Sequence, residues 1–261
     1  MQLKKYGLNL ISVTALGIGS VVGAGIFALL GQVIMMAGDQ TYYAFIIAGV
    51  AALFSGYSYS RLAAAYPDSG GLTDYFHIAF KKRWVVGTFS LIYMMTSAVS
   101  ICMMAKSFGI YAVKLFPHVQ DTNFFINAAA CFLIVGLAAL NMQRSKDVGN
   151  TEIVMVSIKM GILLSLIIAA LIHYDIAEKM QTIPFNEVKF MGSIGVTFFA
   201  FAGYGVITNA AGDVKNPQRT ITWGIFLTIL IVIGLYLALA FVALHFIPAK
   251  ELMASADIAV A

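Results

Sequence analysis

Charge is scarce in this chain. Charged residues occupy 11% of its 261 positions, whereas soluble domains carry about a quarter, so an ordinary soluble domain is excluded. Cysteine is also rare, because Cys102 and Cys131 are the only two and both lie in apolar segments. Two such cysteines exclude a disulfide scaffold and a cysteine-based metal framework, and we expect both to be small core residues.

Short motifs of enzymes are lacking as well. The four histidines are scattered and no H-E-x-x-H occurs, and Ser20 has no G-x-S-x-G context. Gly17-Ile18-Gly19 follows no strand and precedes no acid at the spacing of a dinucleotide fingerprint. We therefore expect no enzymatic activity, no metal and no cofactor. The net charge of +4 is explained by its sidedness, described below, so no nucleic acid is expected as a partner.

Long apolar segments fill the rest of the sequence. Hydrophobic residues make up 61% of the chain and the mean hydropathy is +0.89, which indicates an all-α protein embedded in the lipid bilayer. The first segment is too long for a signal peptide, and no plausible cleavage site follows it. Seven membrane-spanning segments are predicted, near 8–36, 41–65, 84–114, 124–141, 150–173, 189–212 and 221–247.

The distribution of lysine and arginine predicts the orientation. Ten of them fall at one set of ends and loops: Lys4, Lys5, Arg61, Lys81, Lys82, Arg83, Arg144, Lys146, Lys215 and Arg219. Four fall on the opposite side: Lys114, Lys179, Lys189 and Lys250. Since positive residues are enriched in cytoplasmic loops, the N-terminus is expected in the cytoplasm, with the C-terminus outside.

Glycine interrupts the first span. Gly17, Gly19, Gly23 and Gly25 fall within nine residues at mid-bilayer depth, where they allow the helix to unwind and expose backbone groups to a ligand. A second interruption, at Gly203 and Gly205, is predicted in the middle of the sixth span. Breaks in corresponding spans of two halves indicate a transporter site. The alternative is close helix packing by small residues.

Two half-helix ends suit a zwitterion. Free amides at the start of the following half-helix favour a carboxylate, and free carbonyls at the end of the preceding one favour an ammonium group. The predicted substrate-binding residues are Gly19, Ser20, Gly23, Ala24, Gly25, Ile26, Phe201, Ala202, Gly203 and Tyr204. A zwitterionic amino acid is therefore the expected small-molecule substrate.

Lys159 is an ionisable residue well inside the fifth span. A cation at mid-bilayer costs about 2.5–3.5 kcal/mol on insertion scales, and a desolvated lysine can release its proton reversibly. We interpret Lys159 as a proton-coupling residue that faces the first break, so protons are a further expected partner. The alternative is that its stem reaches the cytoplasmic interface, as is expected for Lys106 at the outer end of the third span.

Three motifs in order resemble the amino acid–polyamine–organocation permeases. They are Gly23-Ala24-Gly25-Ile26-Phe27; Tyr66-Pro67 with Gly70, Gly71 and Tyr75; and Phe198 to Gly205 followed by Asp213-Val214-Lys215-Asn216-Pro217. The resemblance implies a LeuT-like fold of two inverted five-helix repeats, which takes up or exchanges amino acids or related amines by alternating access. It implies carboxylate contacts at Gly23 to Gly25, amine contacts near Phe201 and Ala202, and a lysine at position 159 in place of a sodium ion.

The chain departs from that family in length and at two acids. Gly205 and Gly212 stand where the family has acids, and Asp213 and Lys215 are either gating charges or ordinary loop charges. Residues 1–173 would form the first repeat, and 174–261 would hold two helices of the second and an external tail. The family usually has twelve spans, so we expect a truncated or split permease of a bacterial inner membrane. Alternatives are a transport-incompetent fragment, a chain that needs a complementary C-terminal fragment, and a seven-helix receptor.

Overall fold

A computed structural model describes residues 8–67, 71–115, 122–142, 145–172, 186–214 and 216–246. The described part is almost entirely helical. Its α-helices are α1 Leu10–Val21, α2 Ala24–Ala37, α3 Thr41–Ala65, α4 Gly71–Ala79, α5 Arg83–Lys114, α6 Thr122–Asn141, α7 Ser145–Ile172, α8 Glu187–Phe201 and α9 Pro217–Phe246. There are also two 3-10 helices. Gly38–Gln40 joins α2 to α3, and Tyr204–Asp213 follows α8.

Six helical stretches of the described residues are long and apolar enough to cross a membrane. Seven spans were predicted, and the difference lies in the first. That span is divided into α1, of 12 residues, and α2, of 14 residues, and only the second continues into a membrane-length stretch, Leu29–Ala65. A helix needs about 20 residues to cross the hydrocarbon core, so neither half spans it alone.

Side-chain caps start the two helices that precede the breaks. Asn9 caps α1, since its side-chain oxygen accepts a hydrogen bond from the Ser12 backbone N–H at 2.8 Å. Asn186 caps α8 in the same way, accepting from the Lys189 N–H at 3.0 Å. Each asparagine thereby satisfies an amide of the first turn that has no partner within the helix. The helices that open spans one and six thus both begin with an asparagine N-cap.

The described residues up to Tyr75, together with those from Ile153 onward, form one compact unit. In this unit α9 packs against α1 and α3, and α8 packs against α2 and α3. The 3-10 helix 204–213 fills the space next to α1, α3 and α9. The fully buried side chains of this unit include Ile26, Phe45, Phe201, Ile225 and Tyr236.

Residues Phe76–Glu152 form the second unit, in which α5 packs on α6. A β-carbon at Gly109 would lie 2.4 Å from the Ile126 carbonyl oxygen, so the two backbones meet at a position that only glycine fits. Cys102 and Cys131 are both exposed here, so the expectation that they are core residues is wrong. The division into a first five-helix repeat, 1–173, and the start of a second, 174–261, stays a prediction, because repeats are defined by symmetry rather than by compactness.

Candidate functional site

The first interruption falls between α1 and α2, where the sequence predicted it. Gly23 is extended, with φ −123° and ψ −152°, so the helix stops at Val22 and restarts at Ala24. The Val22 N–H still donates to the Ile18 carbonyl at 2.8 Å, and the Gly23 N–H donates to Val21 at 2.9 Å. Beyond these bonds the α-helical pattern ends, and the predicted break is confirmed.

A second interruption follows α8. Ala202 has φ −58° and ψ 141°, and Gly203 has φ +127°, a conformation that side-chain-bearing residues rarely adopt. The Ala202 N–H donates to Phe199 at 2.9 Å and the Val206 N–H donates to Gly203 at 3.0 Å. The chain then continues as the 3-10 helix 204–213 rather than as an α-helix, so this predicted break is confirmed as well.

The two breaks lie against each other. A β-carbon at Gly203 would be 2.8 Å from the Ser20 carbonyl oxygen and 3.1 Å from its Oγ. On the other side of the first break, a β-carbon at Gly25 would be 3.6 Å from the Cα of Ala200. At Gly203 the missing side chain lets backbone approach backbone, whereas a methyl group at Gly25 would make an ordinary van der Waals contact. The structure therefore brings together predicted site residues that are about 180 positions apart in the sequence.

Tyr236, on α9, joins the two breaks and was not identified from the sequence. Its hydroxyl donates toward the Val21 carbonyl and the Ala200 carbonyl, each at 3.1 Å, and the residue is fully buried. Its ring lies 5.2 Å from that of Phe201. The Tyr236 hydroxyl is thus within hydrogen-bonding distance of carbonyls in the last turns of both α1 and α8. A lone tyrosine in an apolar span gives no periodic signal that would single it out.

Lys159, on α7, lies at the first break. Its Nζ donates to the Gly19 carbonyl at 3.2 Å and to the Val22 carbonyl. Val156 and Leu163, on the same face of α7, are buried, so the lysine stem enters the protein instead of running along its surface. The carbonyl end of α1 carries partial negative charge, which favours a cation at this place.

Three predicted side chains belong to the core around the breaks. Ile26, Phe201 and Tyr204 are buried, and Tyr204 packs edge-on against Tyr59 with ring centroids 5.8 Å apart. Gly19 and Ser20 are half-buried, whereas Ala202 is exposed. Contacts to a substrate at these positions would therefore come mainly from backbone atoms.

One of the two predicted gating residues lies outside the described part of the chain. Asp213 ends the 3-10 helix 204–213, and Lys215 lies outside the described residues. Pro217 is the first residue of α9, a position that suits its fixed φ and its missing N–H. Within the described ranges, no three His, Cys, Asp or Glu side chains group as metal ligands do.

Interrupted apolar helices with a cation at one break are typical of all-α membrane transporters. The chain belongs to the amino acid permease family, because the family model described as "Amino acid permease" matches residues 8–261. This family consists of transporters, not of enzymes. Membership also establishes the chain as a multi-pass membrane protein.

Three curated relatives show the range of the family. The Escherichia coli inner membrane transport protein YbaT is 40% identical, over 97% of this chain and 59% of its own length. The chloroplastic cationic amino acid transporter 9 of Arabidopsis thaliana is 26% identical, over 97% of this chain and 47% of its own length. The branched-chain amino acid permease BcaP of Bacillus subtilis is 28% identical, over 94% of this chain and 56% of its own length. The chain thus spans about half to three fifths of the length of these relatives.

Proposed function

We propose that this chain provides the substrate site of a secondary active transporter for amino acids or related amines. The observation that carries the proposal is the contact of two helix breaks, with Gly203 directly against Ser20. Family membership supports it, as do the names of two relatives, which refer to cationic and branched-chain amino acids. Transport by alternating access would use these breaks as the fixed site about which the helices move.

The N-terminus of α2 is the proposed carboxylate site. Ala24, Gly25 and Ile26 occupy its first turn, in which backbone N–H groups have no partner within the helix. Gly23 precedes them and supplies no side-chain cap, so the helix leaves these amides to a ligand. The aligned dipoles place about half a positive charge at this end, which favours an anion.

The carbonyls of the second break are the proposed ammonium site. Among the described residues, no backbone N–H donates to the Phe201 or Ala202 carbonyl, whereas Phe199 and Gly203 accept such bonds. A cation is favoured near the carbonyl end of α8 by the helix dipole. Because Gly203 packs on the first break, the two proposed sites are close enough for a molecule that carries both charges on neighbouring atoms.

Lys159 is the proposed proton-coupling residue. A protonated lysine offers three donors and a positive charge, and this one holds the Gly19 and Val22 carbonyls. A neutral amine would hold them more weakly, since it lacks the charge that the carbonyl end of α1 favours. Loss of the proton would therefore loosen α1 at the break, which links protonation to the movement of a site-forming helix.

Orientation, location and gating complete the proposal. The excess of lysine and arginine on one side favours a cytoplasmic N-terminus, and the name of the E. coli relative favours a bacterial inner membrane. Asp213 and Lys215 would act as gating charges at the cytoplasmic end of the sixth span. These three assignments are independent of the substrate chemistry.

The second candidate function is that of one portion of a permease, which transports only together with a complementary segment. It is favoured by the coverage of the relatives, which reaches 59% for the E. coli protein. The remaining helices would then be supplied by a complementary C-terminal segment, and the chain would contribute the first repeat, 1–173, and part of the second, 174–261. Such a segment would bring further residues to the pocket.

Uptake by a chimera separates the two candidates. The chain replaces the equivalent part of the E. coli relative, and uptake of radiolabelled amino acids is measured in proteoliposomes for the chimera, the relative and the chain alone. Uptake by the chimera but not by the chain alone supports the second candidate. If the relative transports a substrate and the chimera, folded by size-exclusion profile, neither binds nor transports any amino acid, the proposal is wrong.

The role of Lys159 is tested in the same vesicles. We expect Lys159→Ala to abolish the pH dependence of uptake while substrate exchange continues, because the carbonyls lose their titratable partner. Lys106→Ala is the matched control, since Lys106 also lies within a predicted span but is exposed. An unchanged pH profile in Lys159→Ala would contradict the coupling role, and an equal change in both variants would assign the effect to charge alone.

A further inference from the structure

A basic groove lies where α3 ends and α9 begins, away from the two breaks. It encloses about 530 Å³, a volume in the range of small-molecule sites. The last three turns of α3 form one wall and the first two turns of α9 form the other. The lining includes Tyr57 and Arg61 on α3 and Gln218, Arg219, Thr222 and Trp223 on α9.

The two walls carry the same arrangement. On α3, Arg61 follows Tyr57 by four residues, and on α9, Arg219 precedes Trp223 by four residues. α3 ends at this groove and α9 starts from it, so on each wall the aromatic ring lies one turn, about 6 Å, closer to the membrane centre than the arginine. Tyrosine and tryptophan prefer the depth of the lipid carbonyl and headgroup region, which places the guanidinium groups at the level of lipid phosphates.

Both arginines are available for an external anion. Arg61 and Arg219 are exposed, and neither guanidinium group makes a hydrogen bond or an ion pair with a described residue. Among the described residues, no acidic side chain lines the groove. Thr222 is satisfied within its helix, since its hydroxyl donates to the Gln218 carbonyl at 2.7 Å. Positive charge in this groove is therefore not neutralised by its own walls.

We propose that the groove binds the phosphate of an anionic phospholipid, with Arg61 and Arg219 as ligands. Guanidinium groups bind phosphate oxygens through paired N–H donors. Basic pockets at the cytoplasmic ends of membrane helices are suited to lipid headgroups. The two aromatic residues favour a lipid over a free phosphate, because they extend the site toward the acyl region, where a soluble ion has nothing to contact.

Lipid retention by the purified chain tests the assignment. The wild type, Arg61→Gln/Arg219→Gln and the control Lys82→Gln/Arg83→Gln are purified in detergent with added phosphatidylglycerol or phosphatidylcholine. Bound lipid is then counted by native mass spectrometry. The control removes the same charge at exposed positions outside the groove. We expect phosphatidylglycerol retention to fall about tenfold or more in the groove variant and to change little in the control.

Two further arms use the wild type alone, so the test does not depend on the folding of a variant. Retention of phosphatidylglycerol should fall as the NaCl concentration is raised from 50 to 500 mM, because exposed charges are screened, and it should exceed retention of phosphatidylcholine. Equal retention of both lipids, or equal losses in the groove and control variants, would overturn the proposal. Displacement of the lipid by millimolar inorganic phosphate would assign the groove to a free anion instead.

Discussion

Replacement of Gly203 by alanine is the most direct perturbation of the paired breaks. Gly203 has φ +127°, outside the region that residues with a β-carbon adopt readily. The added methyl group would also lie 2.8 Å from the Ser20 carbonyl oxygen and 3.0 Å from its carbonyl carbon. Both neighbours are backbone atoms of the first break, so no flexible side chain can move aside.

The expected cost follows from these two terms. A strained backbone conformation costs about 1–3 kcal/mol, and an overpacked contact typically costs a similar amount. Gly203→Ala should therefore lower the free energy of unfolding by roughly 2–6 kcal/mol, unless the breaks move apart. If they do move apart, the strain is relieved but the proposed carboxylate and ammonium sites separate, so substrate binding is lost instead.

Thermal unfolding in detergent and amino acid binding are measured together. We expect the melting temperature of Gly203→Ala to fall by at least about 5 °C, or binding to be abolished. Gly195→Ala is the matched control on α8. Among the described residues nothing lies within 4 Å of a β-carbon there, and removing a helical glycine should stabilise by about 0.5–1 kcal/mol. A Gly203→Ala variant with wild-type stability and binding would refute the geometry of the second break.

Three further variants probe single contacts. Tyr236→Phe removes a buried hydroxyl and should lower stability by about 0.5–1.5 kcal/mol and weaken substrate binding, whereas exposed Tyr43→Phe should change neither in the same assays. Asn186→Ala removes the cap of α8 and should lower the free energy of unfolding, followed by thermal unfolding, by about 1 kcal/mol. Asn186→Asp should retain most of the wild-type stability, because aspartate also caps helices well. Burial raises the pKa of Tyr75 above its usual 10.0, so its stabilising contribution is present below pH 10 and is lost as the pH rises further. The midpoint of alkaline unfolding should therefore move to higher pH in Tyr75→Phe, and an unmoved midpoint would contradict this.

Glycine made the breaks predictable. Clusters at Gly17 to Gly25 and at Gly203 to Gly205 occur where a span needs continuous hydrogen bonding, so the sequence itself signals an interruption. Their contact was not predictable in the same way. It depends on the packing of α8 and the 3-10 helix 204–213 against α1 and α2, a long-range property that no local pattern contains.

Lys159 and Tyr236 show two degrees of this difficulty. The cost of a buried cation identified Lys159 from the sequence, but the choice between the interface and the break required the positions of carbonyls 137 and 140 residues away. Tyr236 gave no signal, because tyrosine in an apolar helix is ordinary. The expectation for Cys102 and Cys131 was wrong for a related reason. Apolar neighbours in the sequence do not distinguish a buried helix face from one that is exposed in the second unit, Phe76–Glu152.

The contacts at the first break constrain how a zwitterion would lie. The protein's own donors already occupy the carbonyl end of α1, since Lys159 holds Gly19 and Val22 and Tyr236 approaches Val21. A substrate ammonium would compete there with a lysine of the same charge. The amide end of α2 has no side-chain cap, and the carbonyls of Phe201 and Ala202 accept no described backbone bond. Carboxylate on the first break and ammonium on the second is therefore the orientation that leaves every charge with an opposite partner.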